Sequence, residues 1–417
     1  MFKYTIILFL TCAAALNSFA QSTRLEKSLD ELSSRLVNKE VAGVNVLLLK
    51  NGQVLYNKTF GYADMATKQP LQTNNIFRIA SQTKAITSVA VMMLWEQGKI
   101  LLDDPISKYI PQFKNPQVLD KFNPIDRSYT TLPAQKEITI RDLLRHTSGI
   151  GYPIISDDER IRAIYEKAGV ATGIGSKGTL KEKMELLAKQ PLLHQPNTAF
   201  TYGLNTDVLG YLVEVVSGVP LDKFFHANIF EPLQMTDTQF KIPQDKASRL
   251  VSVSEKSDNG FAKVNRPIYE NNNVNYPLED GIYLSGGAGL TSTTADYANF
   301  LQMMLNKGTY KGTRILGAKT VDLMTTNQLS QLVISHGDPD FRFGLGFELV
   351  TEENKFSKSA SVGTFSWGGA FNTHYWVDSK ENIIGLIFTQ EYFPASYHDL
   401  GTLYKNVVYA NLEMTTE

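Results

Sequence analysis

Ser81 and Lys84 stand three residues apart at the start of an apolar stretch, and helical spacing puts both on one face, close enough to share a proton. A serine hydroxyl attacks a carbonyl efficiently only when a base takes its proton. Lys84 can be that base if burial near Ile79, Ile86 and aromatic side chains makes its charged form costly. The pair is not decisive alone, because Ser-x-x-Lys arises by chance in many chains and a serine here would equally serve to cap a helix.

Further segments add to it. Phe77-Arg78-Ile79-Ala80-Ser81-Gln82-Thr83-Lys84, Leu143-Leu144-Arg145-His146-Thr147-Ser148-Gly149, Pro196 to Tyr202, Ser285 to Ser292, and Trp367-Gly368-Gly369 follow one another along most of the chain. In that order they resemble the serine β-lactamase and penicillin-binding-protein superfamily, specifically the branch holding class C β-lactamases, D,D-peptidases and family VIII carboxylesterases. The likeness spans approximately residues 40–395. It implies an α/β, β-lactamase/transpeptidase-like fold: an antiparallel sheet flanked by helices, with an inserted, mainly helical region.

The resemblance also implies roles. Ser81 is the acylated nucleophile, Lys84 its proton partner, and Tyr202 the tyrosine that carries the proton to the leaving group and later activates water. The backbone N–H groups of Ser81 and Ala370 would be the oxyanion donors. Independent chemistry agrees on the phenol: a group with a pKa near 10 serves as a base near neutrality only beside positive charge and hydrogen-bond donors.

Two positions depart from the superfamily pattern. Leu204 stands where an asparagine is usual, leaving Asn205 either to reach the substrate from one residue further on or to cap the following helix. Trp367 stands where a lysine or histidine is usual, ahead of Gly368 and Gly369, which let an acyl group approach the backbone. An indole offers apolar area and one donor, not a cation for a substrate carboxylate. Neutral esters or amides are therefore the expected substrates. His374, seven residues on, would either restore some positive character or be structural.

The expected function is a secreted serine hydrolase, esterase-like in specificity, acting on a small ester, amide or cell-wall-derived molecule through a Ser-Lys-Tyr acyl-enzyme mechanism. The alternatives are a β-lactamase or D-alanyl-D-alanine peptidase, and a non-catalytic protein binding cell-wall peptide or glycan. His146-Thr147-Ser148-Gly149 offers an imidazole beside two hydroxyls, but by the resemblance it marks a helix-to-loop turn. Ser285-Gly286-Gly287-Ala288-Gly289 lacks the lysine and spacing of a phosphate loop and is expected near the cleft instead. Neither Asp103-Asp104 nor the scattered histidines make a metal motif, so no metal and no cofactor are expected.

Positioning these residues requires both ends of the chain. Leu25, Leu29, Leu32 and Leu36 recur at helical spacing, and Val44 to Lys50 and Gln53 to Phe60 flank Asn51-Gly52, a hairpin turn. A helix is expected over Ile79 to Gln97 with Gly98 as its stop, and another over Ala295 to Leu305 with Thr291, Ser292 and Thr294 as candidate caps. Strands are expected at Leu345 to Val350, Thr373 to Val377 and Ile383 to Thr389, before a final helix with Leu400, Leu403, Tyr404, Val407 and Val408 on one side. The expected organisation is a discontinuous sheet domain, residues 21–100 and 290–417, around a helical region, residues 101–289.

Composition excludes other classes. With 417 residues, 43% hydrophobic and 20% charged, the chain can bury a large core, so disorder is a poor reading. Its 41 basic and 42 acidic side chains nearly cancel and form no basic block, which argues against nucleic acid. Residues 1–20 read as a secretory signal, with Lys3 before an apolar core and small residues before Gln21. The only cysteine, Cys12, lies inside that signal, which rules out a disulfide scaffold. No later run of about 20 apolar residues predicts membrane insertion, so a periplasmic or secreted location is expected. The sequence leaves the oligomeric state open.

Overall fold

The structure, a computed structural model, describes residues 23–412 except Asn38, Asp157, Glu270, Ile282, Leu332, residues 334–337 and residues 395–396. The expected signal, residues 1–20, lies outside the described residues.

Seven strands form the main sheet: β1 Gly43–Lys50, β2 Gln53–Asp64, β3 Gln69–Pro70, β4 Glu348–Leu349, β5 Phe365–Gly369, β6 Thr373–Asp378 and β7 Ile383–Phe388. Their order is β4-β5-β6-β7-β1-β2-β3, and every pairing is antiparallel. The early hairpin therefore pairs with the late strands through β1 and β7, Asn45 opposite Phe388 and Lys50 opposite Ile383. Asn51 and Gly52 adopt φ of 53° and 73°, the positive values that a tight hairpin turn requires.

Alternation along β1 divides the core. Val44, Val46 and Leu48 join a cluster with Leu25, Leu29, Leu32 and Leu36 of the first helix (residues 23–36) and with Leu400, Tyr404 and Val408 of the terminal helix Tyr397–Asn411. Leu47 and Leu49 face the larger core on the other side. Each fully buried leucine or valine stabilises the fold by about 1.5–3 kcal/mol, so neither cover is easily lost. Asn45, a polar residue in this buried strand, donates through its amide to the Thr294 hydroxyl at 3.1 Å and the Thr73 carbonyl at 3.3 Å, while its side-chain oxygen has no hydrogen-bond partner among the described residues.

The helix Thr83–Glu96 lies within the larger core, with eleven of its residues buried, Lys84 among them. Burial almost all round explains why its apolar pattern is broad rather than a single stripe. The chain leaves it through Gly98 at φ 69°.

Several local expectations are corrected. The helix Thr294–Leu305 is capped by Thr293, whose hydroxyl accepts from Asp296 N, and not by Thr291, Ser292 or Thr294. The strand expected over Leu345 to Val350 shrinks to Glu348–Leu349, because Gly346 turns the chain at φ 102°. Two hairpins, Gln117–Phe122 with Tyr129–Pro133 and Ser254–Ser257 with Gly260–Lys263, interrupt the helical region. Their strands are rich in polar side chains and largely exposed, so apolar alternation does not reveal them.

Candidate active site

Ser81 sits in a turn of 3-10 helix, Ala80–Gln82, that leads directly into Thr83–Glu96. Ala80 holds φ at 40°, a left-handed conformation unfavourable for a residue with a Cβ, and surrounding structure must hold it there. Part of that structure is β5. A Cβ on Gly369 would lie 2.3 Å from Ile79 O and 2.4 Å from Thr373 Oγ1, so only glycine lets the strand lie this close to the serine turn.

One helical turn after Ser81, the Lys84 amine reaches three oxygens. Nζ lies 3.4 Å from Ser81 Oγ, 2.9 Å from the Tyr152 hydroxyl and 2.8 Å from the Gly287 carbonyl. Lys84 is buried, and desolvation pushes its pKa down to about 7, opposed by the nearby Asp207 carboxylate. Near neutral pH the amine thus passes between charged and uncharged forms.

Tyr202 is stacked over this amine, its ring centre 4.6 Å from Lys84 Nζ. Burial raises the pKa of the phenol above its ordinary value, while the Ser81 hydroxyl and the Trp367 indole act in the opposite direction. Behind it, His146 lies 4.9 Å away ring to ring. Burial keeps that imidazole neutral by pushing its pKa well down, with the Lys84 charge adding to the effect.

The His146-Thr147-Ser148-Gly149 turn is held by a residue expected elsewhere. Asn205 is buried, donates to His146 Nδ1 at 2.9 Å and accepts from the Ser148 hydroxyl. It does not cap the helix Asn205–Ser217, whose N-cap is Leu204 with no side-chain bond. Gly149 turns at φ 89°, where a Cβ would meet His194 O at 2.6 Å.

The Ser285 to Gly289 loop lies beneath the lysine: besides Gly287, Gly286 O accepts from Thr87 Oγ1 at 2.6 Å. Ser285 and Tyr283 hydroxyls both donate to Asp207 Oδ1. Burial raises the Asp207 pKa, and those hydroxyls and Lys84 offset part of that rise. His374 points to other partners: Nε2 bonds to the Asn372 side-chain oxygen at 2.8 Å, and the ring packs on Gly401 of the terminal helix.

Tyr152 and Asp207 are the groups that sequence reasoning missed. Tyr152 is one of 19 tyrosines and carries no spacing signal to Lys84. Asp207 did leave a trace, an acid inside the apolar run Leu204 to Leu212, where a buried carboxylate demands partners. Among the described residues no group of three or more His, Cys, Asp or Glu side chains could hold a metal ion, and no helix is long and apolar enough to cross a membrane.

An antiparallel sheet backed by helices, with a serine and a buried lysine at one helix start and a tyrosine from a separate loop over the lysine, defines a serine hydrolase of the β-lactamase and penicillin-binding-protein superfamily. The chain belongs to the beta-lactamase family, whose family model matches residues 24–409. An uncharacterized protein of Mycobacterium tuberculosis is 32% identical over 84% of this chain and 86% of its own length. Esterase EstB of Burkholderia gladioli is 26% identical over 95% of this chain and 97% of its own. The solved structure of EstCE1, a hydrolase with promiscuous acyltransferase activity, matches with a TM-score of 0.80 at 25% identity, covering 93% of this chain and 99% of that one.

Proposed function

We propose that this is an exported, esterase-like hydrolase that cleaves neutral esters or amides through an acyl-enzyme on Ser81. The observation that carries the reading is the buried Lys84 amine, 3.4 Å from Ser81 Oγ with a pKa near 7. Export rests on residues 1–20.

The electrostatics suggest an order of events. Uncharged Lys84 takes the Ser81 proton as Oγ bonds to the substrate carbonyl carbon, and the carbonyl oxygen gains negative charge beside the Ser81 and Ala370 N–H groups. Tyr202, whose raised pKa keeps it protonated, then gives its proton to the leaving alcohol or amine as the carbon–oxygen or carbon–nitrogen bond breaks. The Lys84 ammonium returns a proton to the phenolate. Water, or a second alcohol or amine, attacks the acyl-enzyme by the reverse sequence. No cofactor enters these steps. Asn205 acts by holding the His146 turn behind Tyr202, and Gly369 acts by letting β5 lie directly against the serine turn.

Trp367 supports neutral substrates, since it offers no charge to a carboxylate. The names of EstB and EstCE1, an esterase and a hydrolase with acyltransferase activity, favour the same choice. The test is intact-mass measurement after exposure to a fluorophosphonate, with peptide mapping, followed by turnover of a p-nitrophenyl ester, nitrocefin and a D-alanyl-D-alanine peptide. One adduct on Ser81, absent in Ser81→Ala, with the ester preferred, is expected. Preference for the other two substrates would assign the β-lactamase or peptidase reading, and no adduct with any acyl donor would assign a binding protein.

A further inference from the structure

Trp367 joins a wall of aromatic rings beside Tyr202 that also packs on His146, which lies 5.7 Å from Phe200 and 5.9 Å from Phe343. The Trp367 ring centre is 5.5 Å from Tyr202 and 5.3 Å from Phe343; Phe343 lies 5.4 Å from Phe200, and Phe200 lies 4.9 Å from Phe341. These rings come from three separate stretches of chain, around residues 200, 342 and 367. Phe343 is buried as the wall's base, while Trp367, Phe200 and Phe341 stay only partly buried. Arg342, between two of the rings, turns its guanidinium back onto the carbonyls of Pro339 and Phe341, at 2.6 and 3.0 Å. It therefore adds no free cation to this surface.

The wall's place along β5 fixes which end of a substrate it meets. Ala370, the expected oxyanion donor, follows the strand's last residue and packs with Ala80 and Phe371 in a different apolar cluster. Trp367, three residues earlier, lies against Tyr202. A tetrahedral carbon between them directs its oxyanion toward Ala370 and its departing group toward the phenol that must protonate it. Trp367 is the neighbour on β5 of a group directed toward that phenol.

We propose that Trp367, Phe343, Phe200 and Phe341 form a subsite for an aromatic or large apolar leaving alcohol or amine, and equally for an incoming acyl acceptor of that kind. This rests on the hydrolase reading and names the substrate class of the same site. Burying such a group against several rings is worth about tenfold or more in specificity.

The test compares kcat/KM for 2-phenylethyl acetate and ethyl acetate, which share an acyl group and have alcohols of similar acidity. A second pair, methyl phenylacetate and methyl acetate, varies only the acyl side. The native enzyme is expected to prefer the phenylethyl ester by about tenfold or more. Phe200→Ala and Phe341→Ala, at partly buried positions, should each lower that ratio severalfold while the acyl-side ratio stays put. Stoichiometric fluorophosphonate labelling of Ser81 in each variant shows that the fold survives. No preference in the native enzyme, or one that both variants retain, overturns the subsite alone. A change confined to the acyl-side ratio also overturns it, by giving the wall to the acyl group. Absence of labelling and of all turnover overturns the hydrolase reading, and the subsite with it.

Discussion

The carbonyl oxygen of Ile79 stands 2.3 Å from where a side chain on Gly369 would begin, so β5 and the serine turn touch backbone to backbone. Gly369→Ala must push them apart. The displacement falls on the same strand end that leads to Ala370, and a misplacement of about 1 Å at a reacting centre costs about a hundredfold in rate. We expect Gly369→Ala to lose about that factor in kcat on a p-nitrophenyl ester while circular dichroism still reports a folded chain. Near-native kcat would mean that the serine turn tolerates the shift.

The pH dependence follows from Lys84. Its uncharged form is the base, and burial sets its pKa at about 7, so kcat/KM should rise as pH increases through that value. Asp207 favours the ammonium and holds the pKa up. Asp207→Asn removes that support, and the rising limb should move to lower pH. A pH–rate profile of both proteins checks the sign; a limb moving upward would contradict the assignment of the base to Lys84.

The two tyrosines around Lys84 should separate in mutation. Tyr202→Phe removes the proton donor to the leaving group and should cost about 10²–10⁴ in kcat. Tyr152→Phe removes only an acceptor 2.9 Å from the amine, an interaction whose loss should cost about ten- to a hundredfold. Turnover of ethyl acetate, whose alkoxide cannot leave without a proton, measures both, and equal losses would make Tyr152 a proton carrier in its own right.

Trp367→Lys should tilt specificity toward anionic substrates. A cation at this point of β5 can meet a carboxylate with a charge-assisted bond, where the indole cannot. The ratio of nitrocefin to p-nitrophenyl acetate turnover should rise about tenfold. An unchanged ratio would show that the residue does not govern substrate charge.

Local geometry made part of this protein legible from its sequence alone. Ser81 and Lys84 share a face because a helix repeats every 3.6 residues, and the Asn51-Gly52 hairpin follows from the backbone freedom of two residues. The leucines of the first helix announce a buried stripe in the same way. Where the competing choices were all local and similar, as for the cap at Thr293 among four hydroxyl residues, sequence could not choose. Tertiary structure alone decided that Tyr152 meets Lys84 across 68 positions, that Asn205 turns to His146 and Ser148, and that Phe343, Phe200 and Phe341 gather beside Trp367. Those contacts, and the pKa near 7 that burial imposes on Lys84, come from the packing of distant segments, which no spacing along the chain encodes.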